Sequence, residues 1–128
     1  MSWQAYVDNL TGTGKVDQAA LLSRTGDVWA ISAGFAPTAE EIAVVVRGFD
    51  DTDSLYSAGL QIQGDKYIVI RADDESIQGK KGEAGIIAVR TAQTIILTHY
   101  PDTQSPAALS DALKVVYGIS DHLKKSGF

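Results

Sequence analysis

The sequence predicts an α+β fold, with a central antiparallel β-sheet, the N- and C-terminal helices packed on one face and a further helix on the other. Apolar residues recur at helical spacing in three stretches, at the start, in the middle and at the end of the chain. Between residues 58 and 100, short apolar runs alternate with short polar loops. Loops this short join antiparallel strands, because parallel neighbours need long crossovers.

The first predicted helix begins almost at the first residue. Ser2 can cap it, since a serine hydroxyl accepts a hydrogen bond from an N–H of the first turn. Trp3 and Tyr6 then share one helical face. Helical periodicity favours burial of these two rings, and it leaves open that they form a contact surface instead. The stretch 11–15 lacks the spacing of a phosphate-binding loop, so we predict a connector there.

A β-hairpin is predicted next. Its strands are the apolar runs 19–23 and 28–32, and Gly26 and Asp27 lie in the turn between them. Trp29 lies in the second strand. Because neighbouring strand residues point to opposite faces, Trp29 and the residue before it cannot both be core residues.

The middle helix is predicted from a capping box. Thr38 is the cap, and Glu41 can bond back to the cap N–H. Apolar residues then recur on one face until the helix ends near Gly48. The acidic stretch 50–53 lacks the ligand pattern of a calcium-binding loop, so we predict an exposed loop there.

Five further strands are predicted at residues 60–62, 67–72, 76–79, 85–90 and 94–100. Residues 86–89 and 95–97 are nearly all apolar, which predicts central strands covered on both faces. The last helix is predicted to begin with Ser105 as the cap and Pro106 at the first helical position. Its predicted buried stripe consists of Leu109, Ala112, Leu113, Val116, Ile119 and Leu123.

The composition limits the possible functions. For a chain of 128 residues without cysteine, we expect one domain over residues 1–128, no disulfide and a reducing compartment. The formal net charge of −5 disfavours nucleic-acid binding. We expect neither a signal peptide nor a membrane span, because the required apolar runs are missing from the sequence.

The titratable residues show no catalytic or metal-binding pattern. His99 and His122 are the only histidines, and nothing nearby in the sequence indicates a partner for His99. Neither has the spacing of a zinc or iron ligand pair, and the carboxylates cluster in turns. We therefore expect no enzymatic activity, no metal and no cofactor.

A site for a proline-rich ligand fits the aromatic residues better. A polyproline II helix offers free carbonyl acceptors and flat apolar rings, so its receptor needs aromatic walls that carry hydrogen-bond donors. Trp3, Tyr6 and Trp29 are such residues. If the first and last helices lie side by side, His122 and Phe128 can complete the groove.

Six segments carry a family resemblance along nearly the whole chain. They are Ser2-Trp3-Gln4-Ala5-Tyr6-Val7-Asp8, Gly12-Thr13-Gly14-Lys15-Val16-Asp17, Gly26-Asp27-Val28-Trp29-Ala30, Gly64-Asp65-Lys66-Tyr67, Ile70-Arg71-Ala72-Asp73-Asp74 and Asp121-His122-Leu123-Lys124-Lys125-Ser126-Gly127-Phe128. In this order the segments resemble the profilins, and the opening segment alone is strong evidence.

The resemblance implies a cytoplasmic protein of the actin cytoskeleton with the profilin fold, which agrees with the predicted fold class. Profilins bind monomeric actin, proline-rich segments and phosphoinositides, and they promote nucleotide exchange on actin without chemistry of their own. The implied partners are therefore actin in a 1:1 complex, proline-rich proteins such as formin-type nucleators and, weakly, an anionic phosphoinositide membrane surface.

The resemblance also implies three sets of site residues. The polyproline groove consists of Trp3, Tyr6, Trp29, His122 and Phe128. The actin face consists of Tyr56, Arg71, Lys80, Lys81, Lys114 and Tyr117. The phosphoinositide site consists of Arg71, Lys80, Lys81, Lys124 and Lys125. Profilins usually end in tyrosine, so Phe128 keeps the ring and loses the hydroxyl. For Lys80 and Lys81, ordinary solvated positions are an equal alternative.

A different class of function stays open from the residues alone. A small sensory or trafficking module can have the same layering of helices on an antiparallel sheet and bind another peptide or ligand. Tryptophan fluorescence distinguishes the two classes, because both tryptophans are assigned to one groove and polyproline should perturb most of their emission.

Overall fold

A computed structural model of the chain describes residues 2–102 and 106–128. The helices in these residues are α1 (Trp3–Gly12), α2 (Ala39–Gly48), α3 (Thr52–Ala58) and α4 (Ala108–Lys125). The strands are β1 (Gln18–Ser23), β2 (Val28–Ile31), β3 (Leu60–Ile62), β4 (Asp65–Ala72), β5 (Ser76–Lys81), β6 (Ala84–Arg90) and β7 (Thr94–Tyr100). They form one antiparallel sheet in the order β2-β1-β7-β6-β5-β4-β3.

Helices cover both faces of this sheet. Leu10 of α1 and Leu123 of α4 belong to one buried cluster, together with residues of β1, β6 and β7. Val45 of α2 and Leu55 of α3 belong to a second buried cluster on the opposite face. The predicted fold class is therefore confirmed, including the position of both terminal helices on the same face.

The central strands lie between these two clusters. Ile87 and Ala88 are neighbours in β6, are both fully buried and belong to different clusters. Ile96 and Leu97 show the same arrangement in β7. Strands that are covered on both faces need apolar residues at every position. The burial of neighbouring residues in different clusters therefore confirms the two predicted central strands.

Two predicted helix caps are present. The Ser2 hydroxyl accepts a hydrogen bond from the N–H of Ala5 at 3.1 Å. The Thr38 hydroxyl accepts from the N–H of Glu41 at 3.1 Å, and the Glu41 carboxylate accepts from the N–H of Thr38 at 2.8 Å. These bonds satisfy N–H groups that the first turn of a helix leaves without intrahelical partners.

The predicted loop at 50–53 is wrong in its second half, because α3 begins at Thr52. Asp51 caps this helix by accepting from the N–H of Ser54 at 3.4 Å and from its hydroxyl at 2.7 Å. The aspartates of this stretch therefore include a helix cap, which is a common position for aspartate. Only Leu55 of α3 is buried, so the helix has almost no apolar periodicity.

The predicted start of the last helix is also wrong. Ser105 lies outside the described residues, and Pro106 is in a turn before the helix. The cap position of α4 is held by Ala107, whose side chain makes no capping hydrogen bond. Ala112, Val116 and Leu123 are buried as predicted. The other predicted stripe residues, Leu109, Leu113 and Ile119, pack at the margin of the cluster.

Candidate functional site

Five side chains from both ends of the chain and from β2 form one continuous aromatic surface. We define the aromatic surface as Trp3, Tyr6, Trp29, His122 and Phe128. Trp3 is at its centre, with ring centroids 4.9 Å from those of both Trp29 and Phe128. The Tyr6 ring lies 5.9 Å from Trp3 and 5.6 Å from His122. The structure therefore brings together all five residues of the predicted groove.

The aromatic surface is only partly buried. Trp29 is 38% exposed, His122 is exposed, and the other three side chains are of intermediate exposure. Trp3, Tyr6 and Phe128 also pack against the core cluster under α1 and α4. Trp3 and Tyr6 are therefore neither fully buried nor fully exposed, the two alternatives that the sequence left open. Each ring packs on the protein along one edge and is open to solvent elsewhere.

Hydrogen-bond donors accompany the rings. His122 Nε2 lies 3.1 Å from the Tyr6 hydroxyl, so one hydrogen bond joins α4 to α1 within the surface. Within residues 2–102 and 106–128, the indole N–H groups of Trp3 and Trp29 have no hydrogen-bond partner. Aromatic faces with unpartnered N–H donors are the groups that a polyproline II helix requires of a receptor.

A second candidate surface lies on β4, away from the aromatic surface. Ile68 is 74% exposed and Ile70 is 45% exposed, although neighbouring Tyr67 and Val69 are buried. The strand therefore carries apolar residues on both faces, and only one face is covered. We define the β4 surface as Tyr56, Ile68, Ile70, Arg71 and Lys80. The predicted actin face does not contain the two isoleucines, although the apolar run of β4 without alternation indicates exposed apolar residues there.

A β-bulge at Ile70 determines which way Arg71 points. Val69 pairs with Gly79, and Arg71 pairs with Gln78, so Ile70 is the extra residue. Gln78 lies on the same face as Lys80, two residues along β5, and Lys80 pairs with Ile68. Because directly paired residues share a face, the bulge brings Arg71 to the face of Ile68 and Lys80. Without it, Arg71 would point toward the core under α2 and α3.

Tyr56 reaches this surface from α3. Its side chain is 52% exposed, and its hydroxyl accepts a hydrogen bond from the N–H of Ala72 at 2.8 Å. Strand β3 pairs only with residues 65–67, so the edge of β4 beyond Tyr67 is free for this contact. The bond holds the Tyr56 hydroxyl against the β4 main chain at the residue that follows Arg71.

The structure does not bring together all residues of the predicted actin face. Lys81 follows Lys80 in β5 and therefore points to the opposite face, where it forms a 2.7 Å ion pair with Asp65. Lys114 lines a shallow groove between α1 and α4. Tyr117 is about 140° around the α4 axis from His122, which contacts α1, so Tyr117 lies on the helix flank away from α1.

The predicted site cations of β4 and β5 lie next to carboxylates. Arg71 lies 3.5 Å from Asp73, and Lys80 lies 3.9 Å from Glu83. Backbone N–H groups of Glu75 and Ser76, with the Arg71 guanidinium, hold the pKa of Asp73 below its ordinary value despite its partial burial. These carboxylates reduce the positive potential around Arg71 and Lys80.

The remaining lysines of the predicted phosphoinositide site lie elsewhere. Lys124 and Lys125 are exposed in the last turn of α4, and in the described part of the chain neither forms an ion pair. The five predicted cations are thus divided between the β4–β5 hairpin and the end of α4. The structure shows no single basic cluster that contains them all.

His99 has a partner that its neighbours in the sequence do not indicate. Its Nδ1 atom lies 2.6 Å from an Asp17 carboxylate oxygen, although the two residues are far apart in the sequence. In the described residues, no group of three or more histidines and carboxylates could hold a metal ion. Over the same residues, no helix combines the length and apolar character that crossing a membrane requires.

Known proteins match this chain over nearly its full length. The family model for profilin matches residues 1–128. The chain is 50% identical over 124 residues to the profilin of Saccharomyces cerevisiae, covering 96% of both chains. Its structure is similar to that of Acanthamoeba castellanii profilin IA, with a TM-score of 0.91, 43% identity and coverage of 99% of this chain and 100% of that one.

A mouse relative is similar at lower identity. Mouse profilin IIa, in complex with a double repeat from the FH1 domain of mDia1, has a TM-score of 0.77 and 27% identity over 100% of both chains. The family match and the identity to the yeast relative both extend over nearly the full sequence. This chain belongs to the profilin family.

Proposed function

We propose that this profilin binds proline-rich segments through the aromatic surface and monomeric actin, in a 1:1 complex, through the β4 surface. The observation that carries the first half is the continuous set of five rings around Trp3, with two unpartnered indole N–H groups. A proline-rich segment would place its pyrrolidine rings on the aromatic faces and its carbonyls against the indole N–H groups. Mouse profilin IIa in complex with an FH1 repeat supports this choice of ligand.

The second half of the proposal concerns actin. Profilins are non-enzymatic actin-binding proteins that regulate actin polymerisation. In this chain, exposed Ile68, Tyr56 and Arg71 provide an apolar centre with a cationic rim. That combination suits a protein interface, in which aromatic and arginine residues are enriched. Lys80 and Tyr117 extend the proposed contact, whereas Lys81 and Lys114 contribute less because they point elsewhere.

The separation of the two surfaces supports a role in delivery. Actin on the β4 surface would leave the rings around Trp3 free, so one molecule could carry an actin monomer to a proline-rich partner such as a formin-type nucleator. Sequestration of monomers would follow when no such partner is present. Promotion of nucleotide exchange on actin would require only that binding favours an open nucleotide cleft.

Binding of phosphoinositides is a separate part of the proposal. Lys124 and Lys125 would provide the first contacts, since each cation near an anionic surface contributes about 1 kcal/mol. Arg71, Lys80 and Lys81 would first have to exchange their carboxylate partners for the lipid headgroup. Flotation with vesicles that contain or lack the phosphoinositide tests this part, and recovery independent of the lipid would contradict it.

Two solution measurements test the main proposal. Isothermal titration calorimetry with a polyproline peptide should give saturable heat, and a pyrene-actin assay should show slower spontaneous polymerisation. Binding of the peptide should leave the affinity for actin monomers unchanged, because the two surfaces share no residue. Absence of peptide binding at millimolar proline would overturn the first half, and unchanged actin polymerisation would overturn the second.

A further inference from the structure

The turn between β6 and β7 holds the last residue of the aromatic surface in place. The main-chain oxygen of Phe128 accepts hydrogen bonds from the N–H of Gln93 and, at 2.7 Å, from the hydroxyl of Thr91. The Gln93 side chain donates to the carbonyl of Gly127 at 2.9 Å. The N–H of Phe128 donates to the carbonyl of Leu123 at 2.8 Å. Four hydrogen bonds thus fix a segment that would otherwise be free to fray.

The Arg24 side chain also binds this turn. The Arg24 guanidinium donates to the carbonyls of Thr91 and Ala92, each at 3.1 Å. Arg24 lies in the turn between β1 and β2, and β2 carries Trp29. A continuous path of contacts therefore leads from the Trp29 hairpin through Arg24 and the β6–β7 turn to Phe128.

The ring that this path positions has a defined neighbour. Phe128 meets Trp3 edge to face, with an interplanar angle of 90°. Ordering the Phe128 ring costs conformational entropy. If the ring were ordered only on binding, this entropy loss would weaken the affinity for the ligand. The hydrogen bonds to the turn order the ring in advance.

We propose that Gln93 and Arg24 are positioning residues for proline-rich ligands, acting through Phe128. This inference rests on the proposed function of the aromatic surface. Neither side chain belongs to that surface or to the buried core, since both residues are exposed. Their effect on affinity is therefore expected to exceed their effect on folding.

A substitution of matched size tests the role of Gln93. Gln93→Glu replaces the donor to Gly127 with a carboxylate that repels the carbonyl, so the peptide affinity should fall about fivefold, the loss of one net hydrogen bond. Gln61→Glu is the control, because it introduces the same charge at an exposed position on β3. Arg24→Ala should weaken peptide binding similarly, and all three variants should keep wild-type melting temperatures within a few degrees.

A double-mutant cycle distinguishes an effect of Gln93 through Phe128 from a general effect of Gln93 on the folded structure. In a variant that lacks Phe128, Gln93→Glu should have no further effect on peptide affinity, because the ring that Gln93 positions through Gly127 is missing. An equal loss with and without Phe128, or no loss at all in Gln93→Glu, would overturn the inference while the proposed function stands. If the wild-type protein binds no polyproline, the proposed function fails and the inference fails with it.

Discussion

His122 Nε2 and the Tyr6 hydroxyl lie 3.1 Å apart, so the last helix is hydrogen-bonded to the first inside the aromatic surface. Two segments from opposite ends of the sequence thereby become one binding surface. Trp29 joins them from β2, through its contact with Trp3. The proposed proline site is therefore a property of the folded chain, and no short peptide from either end could reproduce it.

The final residue offers the simplest gain-of-function prediction. Phe128→Tyr should tighten polyproline binding about fivefold, because a hydroxyl at the ring edge adds one net hydrogen bond worth about 1 kcal/mol. Calorimetry with the same peptide measures the change. An unchanged or weaker affinity would show that a hydroxyl has no role at this position.

Arg71 provides a charge-reversal test of the β4 surface. Arg71→Glu should weaken actin binding by at least about 2 kcal/mol, roughly 30-fold, since it places two carboxylates side by side on the proposed interface. Polyproline affinity should stay at the wild-type value. Arg47→Glu, an exposed arginine on α2, is the charge-matched control. Loss of both activities in Arg71→Glu would indicate unfolding, and loss of neither would exclude Arg71 from the interface.

Ile68 tests the apolar part of the same surface. Ile68→Ala should weaken actin binding about tenfold by removing apolar area that the complex buries. Thermal unfolding should change little, because 74% of the side chain is exposed in the free protein. Val28→Ala is the matched control, as another exposed apolar strand residue outside the β4 surface. Equal actin affinities for the two variants would argue against a contact at Ile68.

Glu41 gives a prediction about pH and stability. Burial raises the pKa of Glu41, but hydrogen bonds from the N–H groups of Gly64, Thr38 and Gln63 outweigh it and lower the pKa below 4.5. The pKa of Glu41 is lower in the folded protein than in the unfolded chain. The ionised carboxylate therefore contributes its full stabilisation of the fold above pH 4.5, and this contribution is lost as the pH falls through the pKa of the folded protein.

Glu41→Gln should therefore be destabilised by about 2 kcal/mol at pH 7, the value of hydrogen bonds to a charged group. Its difference from wild type should shrink as the pH falls below 4.5. Glu40→Gln, at the exposed neighbouring position, should show neither effect. Thermal unfolding of the three proteins from pH 7 to pH 3 measures this, and a pH-independent difference would contradict the role assigned to Glu41.

The sequence predicted the features that depend on local rules. The capping roles of Ser2, Thr38 and Glu41 were predictable, because capping partners lie three residues apart in the sequence. The central strands were predictable from the apolar runs at 86–89 and 95–97, because a run of consecutive apolar residues is also a local feature of the sequence. The residues of the proposed proline site came from residue chemistry and family resemblance together, since spacing alone could not bring Trp29 and Phe128 to Trp3.

Features that depend on distant contacts or on single residues were missed. Helix α3 has one buried residue, Leu55, so no periodicity indicates it. The contact between His99 Nδ1 and the Asp17 carboxylate joins strand β7 to the residue before β1, which no local pattern encodes. The bulge at Ile70 reverses the direction of Arg71, and strand alternation cannot predict where an extra residue enters.

If proline-rich segments bind the aromatic surface and leave the β4 surface free for actin, nuclear magnetic resonance of 15N-labelled protein will distinguish the two surfaces. The indole N–H signals of Trp3 and Trp29 are the only two of their kind in the chain. On titration with a polyproline peptide, both should shift along one saturable curve, while the amide signals of Ile68, Ile70 and Arg71 stay in place. Shifts confined to the β4 amides, or indole signals that do not move at millimolar proline, would show that proline-rich segments do not bind the aromatic surface.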